Sequence, residues 1–466
     1  MKKTLTICLV VAIGAFGAWQ IARNAEQINA ELFDNGTPAW LEADSAKAIK
    51  ARIAADFSLT REELAEQIKR NYPDVTDADI DRFVQMHYIE AKDIDGRQMF
   101  HRKSPRNLAL LNPDFNGGAR YRGDRASDAR ISYVDSVLSY YRGTNPAGLS
   151  HRVTYRFSID VPYSEALDGD TISVWMPVPL SEPEGGRQRN VEILDAEPLS
   201  YILSGDNSVH NSLYFRAPAP AKGDTAHFEY VGRFITSGAY IPADSIMARK
   251  KPYDTASETY RRYTALPDGR HIVRLDSLAK TIVGDETDPF RQSEMVFDYI
   301  IRRYPWAGAR EYSTISCIPE YVLREGHGDC GQVSLLYISL MRTLGVPARW
   351  ESGWMLHPGE VNLHDWAEVY FEGVGWVPVD VSFGRYTGAS DPEITGFYSH
   401  GIDSHRLAAN TGVGGEFFPR KRYVRSETVD FQVGEVESTK GNMYYPAWDY
   451  NMQILSVEPI EENSGK

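Results

Sequence analysis

The sequence predicts a multidomain α+β protein with a helical N-terminal region, a β-sandwich and a C-terminal α+β domain that carries a nucleophile. The chain has 466 residues, which is too long for one ordinary hydrophobic core. Its hydrophobic periodicity changes from helical to alternating at His151. Farther along, Cys330 stands at the start of an apolar helix, and two strands with a histidine and an aspartate follow.

The composition is that of a soluble, acidic protein. Hydrophobic residues make up 42% of the chain and charged residues 24%, with a formal net charge of -14. An acidic surface without a basic cluster is a poor match for nucleic acid or for an anionic membrane face. We therefore expect no nucleic-acid partner.

Residues 1–23 are predicted to be a signal peptide or an uncleaved anchor. Lys2 and Lys3 precede a run at 5–18 that is almost entirely apolar or small, and Ala15 and Gly17 form a small-x-small cleavage pattern. Cleavage is the preferred interpretation, and anchoring is the alternative because the apolar run approaches the length of a membrane span. Either one predicts export to the periplasm, the cell envelope or the medium, with membrane contact only through an uncleaved segment.

Residues 24–150 are predicted to be helical. Thr60 with Glu63, and the matching pair at 76 and 79, have the spacing of capping boxes. His87 falls on the apolar stripe of the second helix, which predicts a histidine packed in the core. The region carries no recognisable chemistry, so we expect a cap or a docking surface.

Residues 151–245 are predicted to be a β-sandwich. Apolar and polar residues alternate from His151 to Val161, Asp168 and Gly169 form a turn signal, and further short alternating runs follow. Several short strands separated by turns are typical of this fold.

The third unit, at 250–410, contains the candidate nucleophile. After Cys330, apolar residues recur at helical spacing until Gly345 and Pro347 end the helix. The cysteine therefore lies at a helix N-terminus, where unpaired N–H groups and the positive dipole end lower a thiol pKa and can also face a developing oxyanion. The sequence does not identify a second oxyanion donor, and a small buried cysteine is the competing interpretation.

Two strands predicted at 364–371 and 376–382 carry the partners of the thiol. In an even register, His364 and Asp380 share one face, either opposite each other or diagonally, close enough for a carboxylate to hold an imidazole. A thiol, a base and an orienting acid are the groups that covalent acyl transfer requires.

These three stretches resemble the catalytic core of the transglutaminase-like superfamily, a branch of the papain-like cysteine hydrolases. The resemblance rests on "GDCGQVSLLYISLMRTLGVPAR", "HDWAEVYF" and "GWVPVDVSFG", and it covers about 288–384. It implies a papain-like transglutaminase-like catalytic domain in which Cys330 is the nucleophile, His364 the general base and acid, and Asp380 the orienting acid. The tryptophan around the cysteine and the calcium loops of the eukaryotic crosslinking enzymes are missing, so the resemblance supports the triad better than it supports protein crosslinking.

The resulting expectation is an exported cysteine-dependent enzyme that hydrolyses peptide or amide bonds in a peptide, protein or cell-wall substrate. Two alternatives stay open: an amine-accepting transglutaminase, and a binding or scaffold protein that retains the fold. We expect no cofactor. Zinc is disfavoured because the spacing of the nearby cysteine and histidines fits no common site.

Secondary expectations concern the surroundings of the triad. Trp354, Trp366 and Gln332 are candidates for a substrate groove, although the tryptophans also suit a core and Gln332 a solvated first turn. Cys317 is expected to be a buried structural thiol, with a redox lock as the lesser alternative. The stretch that contains Arg406, together with Arg385, His400 and His405, is predicted to be a solvated lid or rim loop. Residues 411–466 are expected to form a strand-rich extension that adds edge strands.

Overall fold

The structure is a computed structural model, and it describes residues 39–115, 128–182, 186–205, 209–266 and 269–461. The predicted signal peptide or anchor at 1–23 lies outside these residues. Within the described ranges, no helix combines the length and the apolar character needed to cross a membrane.

The N-terminal part is mainly helical, as the sequence predicts. It contains helices α1 to α5 and one hairpin: α1 (Ala39–Asp56), α2 (Arg61–Asn71), α3 (Asp77–Gln85), β1 (Ala91–Ile94), β2 (Arg97–Phe100), α4 (Ser104–Leu111) and α5 (Asp128–Tyr141). Both predicted capping boxes are present, at the starts of α2 and α3. Leu64, Ile80 and Phe83 belong to the small apolar core that holds these elements together.

The prediction for His87 is wrong. Helix α3 ends at Gln85, and the backbone N–H groups of Tyr88 and Ile89 turn back to the Phe83 carbonyl. His87 therefore has a left-handed φ of 59° and leaves the apolar stripe. Its side chain is about half exposed, and Nδ1 lies 2.7 Å from Glu325 Oε2.

A strand-rich part follows from residue 150. Its strands are β3 (Ser150–Pro162), β4 (Thr171–Val178), β5 (Gln188–Glu197), β6 (Ile202–Leu203), β7 (Asn211–Pro218) and β8 (Thr225–Ser237). The alternation seen in the sequence is real, because Tyr155, Phe157 and Ile159 of β3 have no exposed surface.

Helices and a second group of strands occupy 239–410. In chain order they are β9 (Ala239–Tyr240), α6 (Ala243–Arg249), α7 (Glu258–Thr264), α8 (Asp276–Val283), α9 (Pro289–Arg303), α10 (Ile318–Glu325), α11 (Cys330–Thr343), β10 (Ala348–His357), β11 (Glu360–Phe371), β12 (Gly375–Val379), α12 (Pro392–Gly396), β13 (Gly401–Ile402) and β14 (Arg406–Asn410). An antiparallel sheet with the order β12-β11-β10-β14 packs against α11, whose residues 331–341 are all buried.

The last strands return to the part that begins at residue 150. They are β15 (Glu435–Ser438), β16 (Gly441–Met443) and β17 (Asp449–Ile460). Strand β15 pairs with β4, and β17 pairs along almost the whole of β3. Two antiparallel sheets result, with the orders β16-β15-β4-β7-β6 and β17-β3-β8-β5, and one apolar cluster contains side chains from both. Strands β16 and β17 lie at the edges of their sheets, as expected for the C-terminal extension, whereas β15 is internal.

Candidate active site

Cys330 is the first residue of α11, as predicted. Asp329 caps the helix: its Oδ1 accepts the N–H of Gln332 at 3.0 Å, and Gln332 Oε1 accepts the N–H of Asp329 at 3.1 Å. This capping box fixes the turn that presents the thiol. The thiol consequently lies at the positive end of the helix dipole, which favours a thiolate.

The capping role corrects the expectation for Gln332. The residue is 1% exposed, so it neither faces solvent nor lines a groove. Its side chain is directed back over the helix start, because a capping box needs a Glu or Gln at this position.

Gly331 marks a close approach of other groups to the helix start. A Cβ atom on this residue would lie 2.3 Å from the Tyr312 hydroxyl and 2.7 Å from Asp365 Oδ2. Any larger residue would collide with both, so glycine after the cysteine lets a hydroxyl and a carboxyl group reach the first turn.

His364 and Asp380 are joined by a hydrogen bond of 2.7 Å between Nε2 and Oδ2. Strands β11 and β12 pair Ala367 with Val379, which places Asp380 opposite Trp366 and diagonal to His364. Both side chains are buried. The second predicted strand ends three residues earlier than expected, at Val379. It ends there because Asp380 Oδ1 accepts the N–H groups of Ser382 and Phe383 and starts a turn.

The environment of Asp380 keeps it ionised. Burial alone would raise the pKa of Asp380, but the neighbouring His364 and Arg406 and the backbone N–H of Phe383 together hold it below the ordinary value. Arg406 Nη1 donates to Asp380 Oδ2 at 3.1 Å. A carboxylate held in this way favours a positive charge on the imidazole that it contacts.

Arg406 shows that the predicted lid or rim loop is wrong. The residue begins β14, is 2% exposed, and also donates to Asp403 through Nε and Nη2. His400 and His405 are buried too, and Arg385 binds Asp298 at 2.6 Å. The prediction failed because a stretch rich in Gly, Ser and Asp resembles a solvated loop. Strand β14 has only five residues, which is too short for its sequence pattern to indicate a buried strand or the ion pairs of Arg406.

The hydrogen bond of the Cys330 thiol goes to Asp365, with Sγ and Oδ2 3.5 Å apart. Asp365 follows His364 on β11, and the register of this strand with β10 is unbroken. The structure therefore brings His364 to Asp380 and Cys330 to Asp365. Sequence reasoning did not single out Asp365.

A cavity of about 370 Å³ opens beside Cys330. Arg102, Lys103 and Arg106 from the helical N-terminal part form one side of it. Further lining residues come from 306–312, 362–365 and 427–433, together with Asp56, Tyr445 and Tyr450. Stretches that are far apart in the sequence therefore surround the nucleophile, and no local motif could have revealed that they meet.

The two candidate groove tryptophans are core residues. Trp354 is 5% exposed and donates Nε1–H to the Gln432 carbonyl at 3.0 Å, while Trp366 is fully buried and donates to Glu351 at 2.5 Å. Neither is among the described residues that line the cavity. The tryptophan that does line it is Trp306, with the Arg106 guanidinium 5.5 Å from its ring.

The floor of the cavity carries several carboxyl groups with altered acidity. Burial, followed by the charges of its neighbours, raises the pKa of Asp430 to about 7. Burial is also the largest cause of the raised pKa values of Asp329, Asp365 and Glu427. At a pH close to 7, Asp430 therefore holds a proton for part of the time, which an ordinary aspartate does not.

Cys317, expected to be buried, is a half-buried free thiol at the N-cap position of α10. The thiol of Cys330 is likewise half-buried and is not part of a disulfide.

Comparison with known families places this site in context. Residues 276–381 match the transglutaminase-like superfamily, and this segment contains Cys330, His364 and Asp380. The uncharacterized protein YebA of Bacillus subtilis is 27% identical over 164 residues, which cover 29% of this chain and 21% of YebA. An uncharacterized protein of Haemophilus influenzae is 27% identical over 139 residues, covering 23% of this chain and 37% of that protein. The matches thus span about a fifth and just over a third of these relatives.

Two solved structures also resemble the chain. A candidate cysteine protease from Cytophaga hutchinsonii covers 68% of this chain and 94% of its own, with 15% identity and a TM-score of 0.43. The periplasmic domain of TgpA from Pseudomonas aeruginosa covers 50% of this chain and 88% of its own, with 14% identity and a TM-score of 0.25.

Proposed function

We propose that the transglutaminase-like segment at 276–381 makes this chain an exported, thiol-dependent acyl-transfer enzyme that hydrolyses peptide or other amide bonds. Cys330 is the nucleophile, His364 the general base and acid, and Asp380 the orienting acid. The observation that carries the proposal is the buried 2.7 Å hydrogen bond between His364 and Asp380, within the same family segment as a cysteine at a helix start.

The proposed reaction uses the two nitrogens of His364 differently. Asp380 holds Nε2, and in the proposed reaction Nδ1 takes the Cys330 proton. The thiolate attacks the amide carbon, the amine departs with the proton from Nδ1, and an acyl-enzyme remains. Water then attacks the thioester carbon while His364 accepts its proton, and the thiol is regenerated.

The choice of water as the second nucleophile rests on the expected compartment. Export follows from the N-terminal segment of the sequence, and an exported hydrolase meets peptide, protein and cell-wall amides. If a primary amine replaces water, the same acyl-enzyme gives a transglutaminase. A scaffold protein with this fold would need no activated thiol.

The step to test first is proton transfer from Cys330 to His364. This test is needed because the thiol donates a hydrogen bond to Asp365, a group outside the proposed triad. The rate of iodoacetamide alkylation should be measured against pH, with the Cys330 peptide followed by mass so that Cys317 is counted separately. We expect fast alkylation well below pH 8.5, the ordinary pKa of a thiol, to be lost in His364→Ala.

The matched control is His357→Ala. His357 is also a buried histidine next to an aspartate, with Nε2 3.1 Å from Asp403 Oδ1. This variant should keep the alkylation profile of the wild type. An ordinary thiol profile in the wild type, or equal effects of the two variants, would refute the proposed pair.

Substrate experiments then separate the reaction classes. An amide substrate should be turned over by the wild type and not by Cys330→Ala, and an added primary amine should not be incorporated into the product. Incorporation of the amine would show that the reaction is transamidation and not hydrolysis. A full phenotype in a folded Cys330→Ala variant would identify a scaffold.

A further inference from the structure

Asp365 is a buried carboxyl group beside the nucleophile that the proposed triad does not use. It is 2% exposed, lines the cavity and lies 3.5 Å from Cys330 Sγ through Oδ2. A carboxylate here would oppose the thiolate by its like charge, whereas a neutral carboxyl group would offer it a hydrogen bond. The protonation state of Asp365 therefore decides what it contributes.

Hydrogen bonds orient the two oxygens of Asp365 differently. Gln432 Nε2 donates to Oδ1 at 2.7 Å and to the His364 carbonyl at 3.1 Å. The backbone N–H of Gln432 in turn donates to Glu427 Oε2 at 2.7 Å. Because Oδ1 is fixed as an acceptor, the proton of a neutral group belongs on Oδ2. This oxygen accepts the Cys330 S–H in the structure, and it is free to donate toward Cys330 only after the thiol has given up its proton.

The surrounding charges favour the neutral form. Burial is the largest cause that raises the pKa of Asp365 well above its ordinary value, followed by the charges of Asp430 and Asp329 and, more weakly, that of Glu427. Asp329 and Cys330 face it from α11, Tyr312 from the segment before α10, and Glu427, Asp430 and Gln432 from the segment before β15. None of these groups is a cation.

We propose that the carboxyl group of Asp365 donates a hydrogen bond from Oδ2 to the substrate carbonyl oxygen when Cys330 attacks, and so acts as the second oxyanion donor beside the backbone N–H of Cys330. This inference rests on the proposed function. As Sγ bonds to the carbonyl carbon, the π electron pair of C=O moves onto the oxygen, and Asp365 keeps its proton throughout. When that pair re-forms C=O, the C–N bond breaks and the amine leaves with the proton from His364.

The geometry suits this role. A carbon bonded to Sγ carries its oxygen within a few ångströms of Oδ2, because Sγ and Oδ2 are 3.5 Å apart. Buried neutral acids and preorganised amides are effective donors because they need no reorganisation during the reaction. Loss of one such donor lowers kcat by about 10²–10³-fold in acyl-transfer enzymes.

Two reagents that attack the same thiol provide the test without a known substrate. Acetylation by p-nitrophenyl acetate passes through an oxyanion, whereas alkylation by iodoacetamide does not. We expect Asp365→Ala to slow acetylation of Cys330 by about 10²-fold and to leave the alkylation rate within about twofold. Asp365→Asn keeps an N–H donor and should slow acetylation by less than about tenfold.

The matched control is Glu311→Gln. Glu311 lines the same cavity and also has a raised pKa, but its Oε2 accepts the hydroxyl of Tyr444, whereas the thiol donates its hydrogen bond to Asp365. Both rates should stay near the wild-type values in this control. The thermal midpoint of each variant is measured first. If Asp365→Ala does not fold, the ratio of acetylation to alkylation in Asp365→Asn decides: a fall of about 10²-fold overturns the proposal.

Other outcomes are equally informative. Unchanged acetylation in folded Asp365→Ala, or equal slowing of both reagents, contradicts an oxyanion donor. Faster alkylation in Asp365→Asn would show that Asp365 is ionised in the wild type, which also contradicts an oxyanion donor. If wild-type Cys330 reacts like an ordinary thiol with both reagents, the proposed function has failed and this inference falls with it. A reactive wild type that depends on His364 but not on Asp365 refutes this inference alone.

Discussion

At the scale of single residues, the buried ions around Asp380 are the most consequential feature. Arg406 joins Asp380 to Asp403, and all three side chains are buried. Taking charges out of water is unfavourable unless each has a partner, so removal of one member leaves the others uncompensated. The acid that orients His364 therefore depends on a residue 26 positions further along the chain.

Replacing Arg406 by methionine should destabilise the protein by about 3–5 kcal/mol, because two buried carboxylates lose their cation. Arg385→Met is the comparison. Arg385 also pairs with an aspartate, but that aspartate is 38% exposed, so the expected loss is below about 1 kcal/mol. Urea unfolding monitored by tryptophan fluorescence measures both, and equal losses would contradict the ion network described here.

At the scale of elements, the first turn of α11 contains both the helix cap and the proposed nucleophile. The Asp329 cap fixes the first turn, Tyr312 donates to the same carboxyl group, and Gly331 admits the groups that approach the thiol. The cap thus holds the geometry on which the reactivity of Cys330 depends.

Asp329→Ala should cost about 0.5–2 kcal/mol of stability and should also slow alkylation of Cys330, because the first turn loses its fixed geometry. Asp288→Ala provides the comparison, since Asp288 caps α9 through Oδ1 and lies outside the lining of the cavity. It should cost a similar free energy of unfolding and leave the thiol rate unchanged. A slower thiol in both variants would show that general loss of stability, not the cap, controls the reactivity.

At the scale of the whole molecule, the C-terminal strands and the strand-rich part that begins at residue 150 depend on each other. Strand β17 pairs with β3 over almost its full length, and Val436 and Trp448 are buried in the core that the two sheets share. The segment just before β15 supplies Gln432, which orients Asp365. The C-terminal strands and the segment that leads to them therefore complete both a sheet and the candidate site.

A chain that ends at residue 434 should lose β15–β17 and expose apolar surface of both sheets. We expect it to be mostly insoluble or to elute as aggregates in size-exclusion chromatography. A chain that ends at residue 461 keeps every described strand and should match the thermal midpoint of the full chain. A soluble, cooperative unfolding transition in the shorter chain would contradict this dependence.

Local patterns predicted the local features well. The capping boxes at Thr60 and Thr76, the alternation of β3 and the helix that begins at Cys330 all depend on neighbouring residues, and the structure shows each of them. Sequence spacing also anticipated the shared face of His364 and Asp380. His87 was misjudged because a helical stripe does not reveal where a turn in the left-handed region will end it.

What the sequence could not show depends on contacts between distant segments. Lys103, Asp365 and Gln432 meet at one cavity although more than 300 residues separate the first from the last. Arg406 looked like a solvated residue because one of its two partners, Asp380, is 26 positions away in the sequence. Tertiary pairing of this kind leaves no periodic signal in a single sequence.

The late position of β15–β17 has a consequence for how the protein is made. Domains begin to fold while the ribosome is still adding residues, and earlier segments are available first. Here β3 must wait for β17, the last strand of the described chain, and Gln432 arrives only shortly before it. Cys330 is synthesised about a hundred residues earlier than the group that orients its neighbouring carboxyl. A chain that has emerged only as far as residue 430 therefore holds a thiol whose surroundings are incomplete, and the site matures only after Gln432 and β17 have followed.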